Sequence, residues 1–148
     1  MAYTTINKFT DYFNTVTYSG NGSNNHTITG VGFNADFVWN KLKNGNDDHR
    51  LFDKVRGINK YVESSNATVE VTDAILSTNS DGYVLTDAGE VNSNTGTYVS
   101  WNWIANGQGS SNTDGSINTT YTSVNTTAGL SIVTYTGTGS NATIGHGL

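Results

Sequence analysis

The residues of this chain that could do chemistry or recognise a ligand are its 3 tryptophans, its 3 histidines and a short segment holding nearly all of its cations. Trp39, Trp101 and Trp103 offer flat apolar faces, which match the C–H face of a pyranose as well as they fill a protein core. His49, next to Arg50 and near Asp53, has the chemistry of a general base, but no nucleophile accompanies it. Two uses follow. As a ligand site, Trp39, His49, Arg50, Trp101 and Trp103 would join the polar loop 44–50 to bind a sugar. The reading the composition favours is structural: the tryptophans are core, because a sandwich with few Leu and Ile must find its volume elsewhere, and one aromatic removes ~150–250 Å² from water.

Other chemistries lack their residues. There is no cysteine, so neither a disulfide framework nor a thiolate metal site is expected. His26, His49 and His146 have no zinc spacing. Asn79-Ser80-Asp81-Gly82 and Asn112-Thr113-Asp114-Gly115 resemble the start of a calcium loop, but the later acidic ligands are missing and turn chemistry accounts for both. Glycoside hydrolysis needs two carboxylates facing one sugar; Glu70 and Asp73, three apart in a strand, point to opposite faces. The expectation is a protein that is not an enzyme and carries no metal or cofactor.

Charge is unevenly spread. Six of the 7 Lys and Arg residues lie between positions 41 and 60, and none follows Lys60, within a chain of net charge −5. Asp47, Asp48 and Asp53 interrupt the basic run, and an acidic body repels a polyanion, so nucleic acid is not an expected partner. Lys41, Lys43, Lys54 and Arg56 are instead candidates for assembly, meeting the acidic face of another copy. No apolar run reaches signal-peptide or membrane length, and no membrane insertion is expected.

The elements that must position these groups read as β. Hydrophobic residues make up 34% of the 148, with 17 Gly, no Pro, and Thr, Tyr, Val and Trp in place of strong helix formers. Phe13–Ser19 alternates as a strand and is expected to turn through Gly20–Asn25 into Thr27–Thr29 as a hairpin. Asp36–Lys43 and His49–Asp53 form a second predicted hairpin. Further strands are expected over 60–63, 69–71, 74–76 and 83–85. In Thr97–Ile104, Val99, Trp101 and Trp103 share one face. Strands over 116–124 and 129–136 follow. Short strands divided by turns predict an all-β fold, an antiparallel two-sheet β-sandwich.

Val16-Thr17-Tyr18-Ser19-Gly20-Asn21-Gly22-Ser23 returns as Val133-Thr134-Tyr135-Thr136-Gly137-Thr138-Gly139-Ser140. That period is the size of a small domain rather than of a solenoid repeat. The expected organisation is an arm at 1–11, a sandwich module at 12–106, a linker at 107–116, and final strands with a partial second repeat at 117–148. An isolated hairpin is marginal in water, so Val133, Tyr135 and Ile144 are further assembly candidates.

Several runs also resemble a known family. Tyr18–Ser23, Thr29–Phe33 with Asp36–Trp39, His49-Arg50-Leu51-Phe52-Asp53-Lys54-Val55-Arg56-Gly57, Ser80–Tyr83 and Gly96–Trp103 are similar to a module of unknown function in virion proteins of marine tailed phages, cyanophages included. The resemblance spans 12–105, and its most specific piece is Leu-Phe-Asp-X-Val-Arg-Gly. It implies a concanavalin-like or SPRY-like jelly roll in a non-enzymatic structural protein of the virion: tail fibre, capsid appendage or decoration. Its partners would be copies of itself and other virion proteins, and no catalytic residues carry over. The chain departs from the pattern at Asn40, where an apolar residue or the start of a basic pair is expected. The rival is a lectin-like module that attaches to host surface glycans. Buried tryptophans favour the scaffold; a tryptophan exposed beside polar groups favours the lectin.

Overall fold

A computed structural model describes residues 5–148; residues 1–4 of the predicted arm lie outside the described residues. Among the described residues the regular structure is nearly all β-strand, with one 3-10 turn at Phe9–Asp11 and one short helix. The first strands are β1 (Phe13–Ser19), β2 (His26–Ile28), β3 (Phe37–Leu42), β4 (Arg50–Asp53), β5 (Lys60–Glu63) and β6 (Val71–Thr72). They are followed by β7 (Ile75–Asn79), β8 (Gly82–Leu85), one helical turn α1 (Gly89–Asn92), β9 (Thr97–Trp103), β10 (Tyr121–Asn125) and β11 (Leu130–Thr134). A six-stranded sheet runs β1-β9-β3-β4-β5-β6, a three-stranded sheet runs β2-β8-β7, and β10-β11 form a third. All pairings between these strands are antiparallel. Among the described residues no helix is long and apolar enough to cross a membrane.

The first two sheets face each other across the core. Val38, Phe52 and Tyr61 from the large sheet meet Ile28, Ile75, Tyr83 and Leu85 from the small one, with Val31, Phe33, Ala35 and Val91 filling the ends. Much of this interior is polar. Tyr83 donates to Ser100 Oγ at 2.8 Å, Asn40 Nδ2 donates to the Tyr18 hydroxyl at 2.8 Å, and that hydroxyl donates to the Val91 carbonyl at 2.8 Å. Tyr98 donates to the Gly89 carbonyl at 3.0 Å. Asn102 Nδ2 reaches Ser100 Oγ and the Asn14 carbonyl, both at 3.1 Å. Asn40, where the family resemblance leads one to expect an apolar residue or the start of a basic pair, is therefore an inward-facing member of this network.

Two sequence expectations are corrected. The predicted β3–β4 hairpin is present, but β1 and β2 do not form one: β1 pairs with β9 and β2 with β8, in opposite sheets. The reason is Asn92. Its Oδ1 accepts from the Asn21 backbone N–H at 2.9 Å and from His26 Nδ1 at 2.8 Å. Its Nδ2 donates to the Ser23 and Thr86 carbonyls at 2.9 and 2.7 Å. Thus 20–26 is pinned around α1 as a corner between sheets. Gly20 sits tight there: a β-carbon at position 20 would overlap the Ser93 carbonyl.

The second correction concerns the tryptophans, which are not core. On β9 the buried residues are Tyr98, Ser100 and Asn102, while Val99, Trp101 and Trp103 lie partly exposed on the other face. Trp39 is likewise on the outer face of β3, opposite buried Val38 and Asn40. Outward tryptophans follow from inward tyrosine and amide groups, because a buried polar group left without its partner costs about 1–3 kcal/mol.

The most specific sequence run, Leu51–Gly57, is a clamp. Asp53 accepts from the Arg56 backbone N–H at 2.8 Å and from its Nε at 2.7 Å. The same guanidinium donates to the Leu51 carbonyl at 2.8 Å and pairs with Glu70 at 3.3 Å. Phe52 and Val55 are buried beneath it.

Residues 107–116, predicted as a linker, bond to the segment that follows: Ser110 bridges Thr122 of β10, and the Asn112 N–H donates to Thr119 Oγ1 at 2.7 Å. The repeated segment leans on its own chain, through β10–β11 pairing and an Ile117–Ile144 bridge.

Buried phenols give the fold an alkaline limit. Burial pushes the Tyr83 hydroxyl from 10.0 up to about 12, and burial also raises Tyr18 and Tyr98. Below the ordinary value both folded and unfolded chains keep the proton. Between the two values only the folded chain does, so stability falls as pH rises through that window, by on the order of 3 kcal/mol for Tyr83. Tyrosinate absorbance and loss of circular dichroism should therefore rise together above pH ~10. Tyr83→Phe should reduce this alkaline loss while costing about 1 kcal/mol at neutral pH.

Candidate functional site

Strand alternation and register together build an aromatic band on the outer face of the large sheet. One row across the strands is Phe13–Trp103–Phe37 and the next is Thr15–Trp101–Trp39–Leu51–Val62. The ring centroids of Phe13 and Trp103 are 4.8 Å apart, those of Phe37 and Trp103 5.3 Å, and those of Trp39 and Trp101 5.9 Å in an edge-to-face arrangement. Trp39, Trp101 and Trp103 line an open depression of about 180 Å³. No small-sheet strand pairs or packs over this face, since that sheet lies on the inner side.

A second, polar depression of about 460 Å³ adjoins it, lined by Lys41, Asn46, Asp47, Asp48, His49 and Ser65. His49 joins the two: Trp39 Nε1–H donates to its Nδ1 at 2.8 Å, with the rings 5.7 Å apart. That bond requires a lone pair on Nδ1, so His49 is neutral with its proton on Nε2. The loop is braced from below. Arg50 is buried, with Nη1 on Asp47 at 2.9 Å and on the Asp48 carbonyl at 2.7 Å, and Nη2 on Glu63 at 3.5 Å. Its guanidinium lies 5.5 Å over the Tyr61 ring. Ser65 Oγ donates to Asp48 at 2.8 Å and Asn66 Nδ2 at 3.4 Å; these bonds hold the exposed Asp48 carboxyl below the usual carboxylate range. Lys41 Nζ bonds the Leu42 carbonyl at 2.6 Å.

Of the predicted ligand residues, the structure brings Trp39, Trp101, Trp103 and His49 together and places Arg50 beneath them, facing inward. Sequence reasoning missed Phe13 and Phe37 in the band and Ser65 in the polar depression, while Asp48 falls within the predicted loop 44–50. The first two could have been found from their alternation with β1 and β3 neighbours; Ser65 could not, because only the fold brings it beside Asp48.

The predicted assembly residues are scattered. Lys54 pairs with Asp36 at 2.8 Å and Arg56 with Asp53 at 2.6 Å, Lys43 is exposed beyond β3, Val133 and Ile144 are partly buried, and Tyr135 is 51% exposed. The calcium-like runs are turns in which Asp81 and Asp114 donate their N–H to Asn79 and Asn112 Oδ1 at 2.9 and 2.8 Å. Among the described residues no group of three or more His, Cys, Asp or Glu side chains could hold a metal ion.

No curated protein and no solved structure matches the chain. One family model does, over residues 8–148, a stretch that includes both sheets, the aromatic band, the polar loop and the carboxyl-terminal strands. The chain therefore belongs to the family described as a domain of unknown function, DUF7483.

Proposed function

We propose that this chain is a lectin-like carbohydrate-binding module, carried by a structural protein of a tailed-phage virion and serving attachment to host surface glycan. The observation that carries the reading is the grouping of Trp39, Trp101 and Trp103 around one open depression, with His49 and a polar loop at its side. A partly exposed tryptophan forgoes roughly 1–2 kcal/mol of burial. A contiguous apolar patch rimmed by polar groups is what a binding surface looks like before its ligand arrives.

The placement on a virion rests on the Leu51–Gly57 and Gly96–Trp103 runs and their resemblance to phage modules, and a concanavalin-like jelly roll is the form of sandwich in keeping with that resemblance. Binding without hydrolysis is the mode these groups favour: Asp48 is held ionised by Ser65 and Asn66, which suits accepting hydroxyls and not donating a proton. Self-association is a second part of the reading, carried by Tyr135, which stands exposed just after β11.

Trp101→Ala should weaken binding on an immobilised glycan panel by at least about tenfold, as loss of a central aromatic anchor does. Thermal unfolding should still show one folded domain, because Trp101 is outside the core. Undiminished binding by this variant would contradict the reading.

The Trp39–His49 bond gives the site a second test. His49→Gln, whose side-chain oxygen can still accept from Trp39 Nε1, should keep binding within about threefold of the native chain, whereas His49→Ala, which leaves the indole N–H without its acceptor, should weaken it by about tenfold. The Trp39 indole N–H resonance should hold its position in the first variant and shift in the second.

A further inference from the structure

Resting on the carbohydrate-binding reading, we infer that the two depressions form one elongated site for an uncharged, hydroxyl-rich oligosaccharide, which discriminates against sulfated and uronic-acid glycans. Continuity comes first. Trp39 and Lys41 are alternate residues on the same face of β3, ~7 Å apart along the strand, which is roughly one sugar ring. Trp39 lines the aromatic depression, Lys41 lines the polar one, and His49 is hydrogen-bonded to the former while lining the latter. A chain with one ring stacked on the tryptophans would therefore lay its next ring over Lys41, His49 and Asp48.

Charge then selects the ligand. An anionic sugar is held by a guanidinium or ammonium group free to face it. Here Arg50 is buried and turned to Asp47, Glu63 and the Asp48 carbonyl. The Lys41 ammonium is engaged by the Leu42 carbonyl at 2.6 Å and the Gly45 carbonyl at 3.5 Å. Lys43 lines neither depression. What faces outward is the Asp48 carboxylate, two of whose accepting positions are taken by Ser65 and Asn66 and whose others remain open to sugar hydroxyls. Asn46 adds an amide donor and acceptor, and the neutral imidazole a further N–H. The chain as a whole carries −5, which adds repulsion toward a polyanion. Hydroxyl recognition by carboxylate, amide and imidazole beside a stacking surface fits a neutral glycan.

The test titrates the full chain with neutral gluco-, galacto- and manno-configured tetrasaccharides and with their sulfated and uronic-acid counterparts, following tryptophan fluorescence and calorimetric heat. At least one neutral series should bind, about tenfold or more tighter than its anionic partner at low salt. Trp101→Ala should abolish the binding, and Asp48→Asn should narrow the preference by admitting the anionic form. If anionic tetrasaccharides bind as tightly as neutral ones and Trp101→Ala still abolishes binding, the charge inference is wrong while the lectin reading stands. If no tetrasaccharide perturbs the tryptophans, or if light scattering shows a self-associated chain that Trp101→Ala dissociates, the face serves another copy and the lectin reading fails with the inference.

Discussion

The hydrogen bonds of the buried tyrosines decide how the rest of this molecule is arranged. Tyr83 and Tyr98 are fully buried and Tyr18 packs partly buried against the core, each with its hydroxyl hydrogen-bonded inside the protein. Their partners come from three elements: Asn40 on β3, which donates to Tyr18, and the acceptors Ser100 on β9 and the Gly89 and Val91 carbonyls of α1. Each bond contributes only about 1 kcal/mol when made, but each group costs more than that when left alone. Such an interior tolerates one register, because shifting a strand by one residue reverses every side chain on it. Asn92 imposes the same discipline at the corner, where one amide holds four neighbours.

Once Tyr98, Ser100 and Asn102 are committed inward, Val99, Trp101 and Trp103 have only the outer face left. β3 repeats the logic: Val38 and Asn40 go in, and Phe37 and Trp39 go out. Because β3 and β9 are neighbours, Trp39 stands directly opposite Trp101, and what would be scattered exposed aromatics become one surface. The polar loop beside it is held by the buried Arg50, whose charge is consumed by Asp47 and Glu63. The cation therefore shapes the site without presenting itself to a ligand.

Much of this was legible in the sequence, and the failures share a cause. The β3–β4 hairpin, β5, β8 and β9 are local patterns, read from alternation and turn residues. The misassigned β1–β2 hairpin and the misassigned tryptophan face depend on partners far along the chain. Gly20–Asn25 looks like a hairpin turn until Asn92 is known to fasten it. The alternation of β9 was read correctly as two faces, but hydropathy pointed the wrong one inward, since Tyr, Ser and Asn become interior residues only where Tyr83, Asn14 and Gly89 wait for them. Charge was misleading for the same reason: Lys54 and Lys60 look unpaired in sequence, yet find Asp36 and Glu70 in the fold.

The central claim is that the polar side of the large sheet is inside and its tryptophans are outside. All 3 tryptophans of the chain lie on that one face, so intrinsic fluorescence reports on it without further labelling. The most direct measurement is acrylamide and iodide quenching of that fluorescence in the native protein. The structure predicts emission shifted toward the red and quenching by both agents, including the charged one. Blue emission that neither agent quenches until the protein unfolds would mean that the tryptophans are core, and would contradict the account at its root.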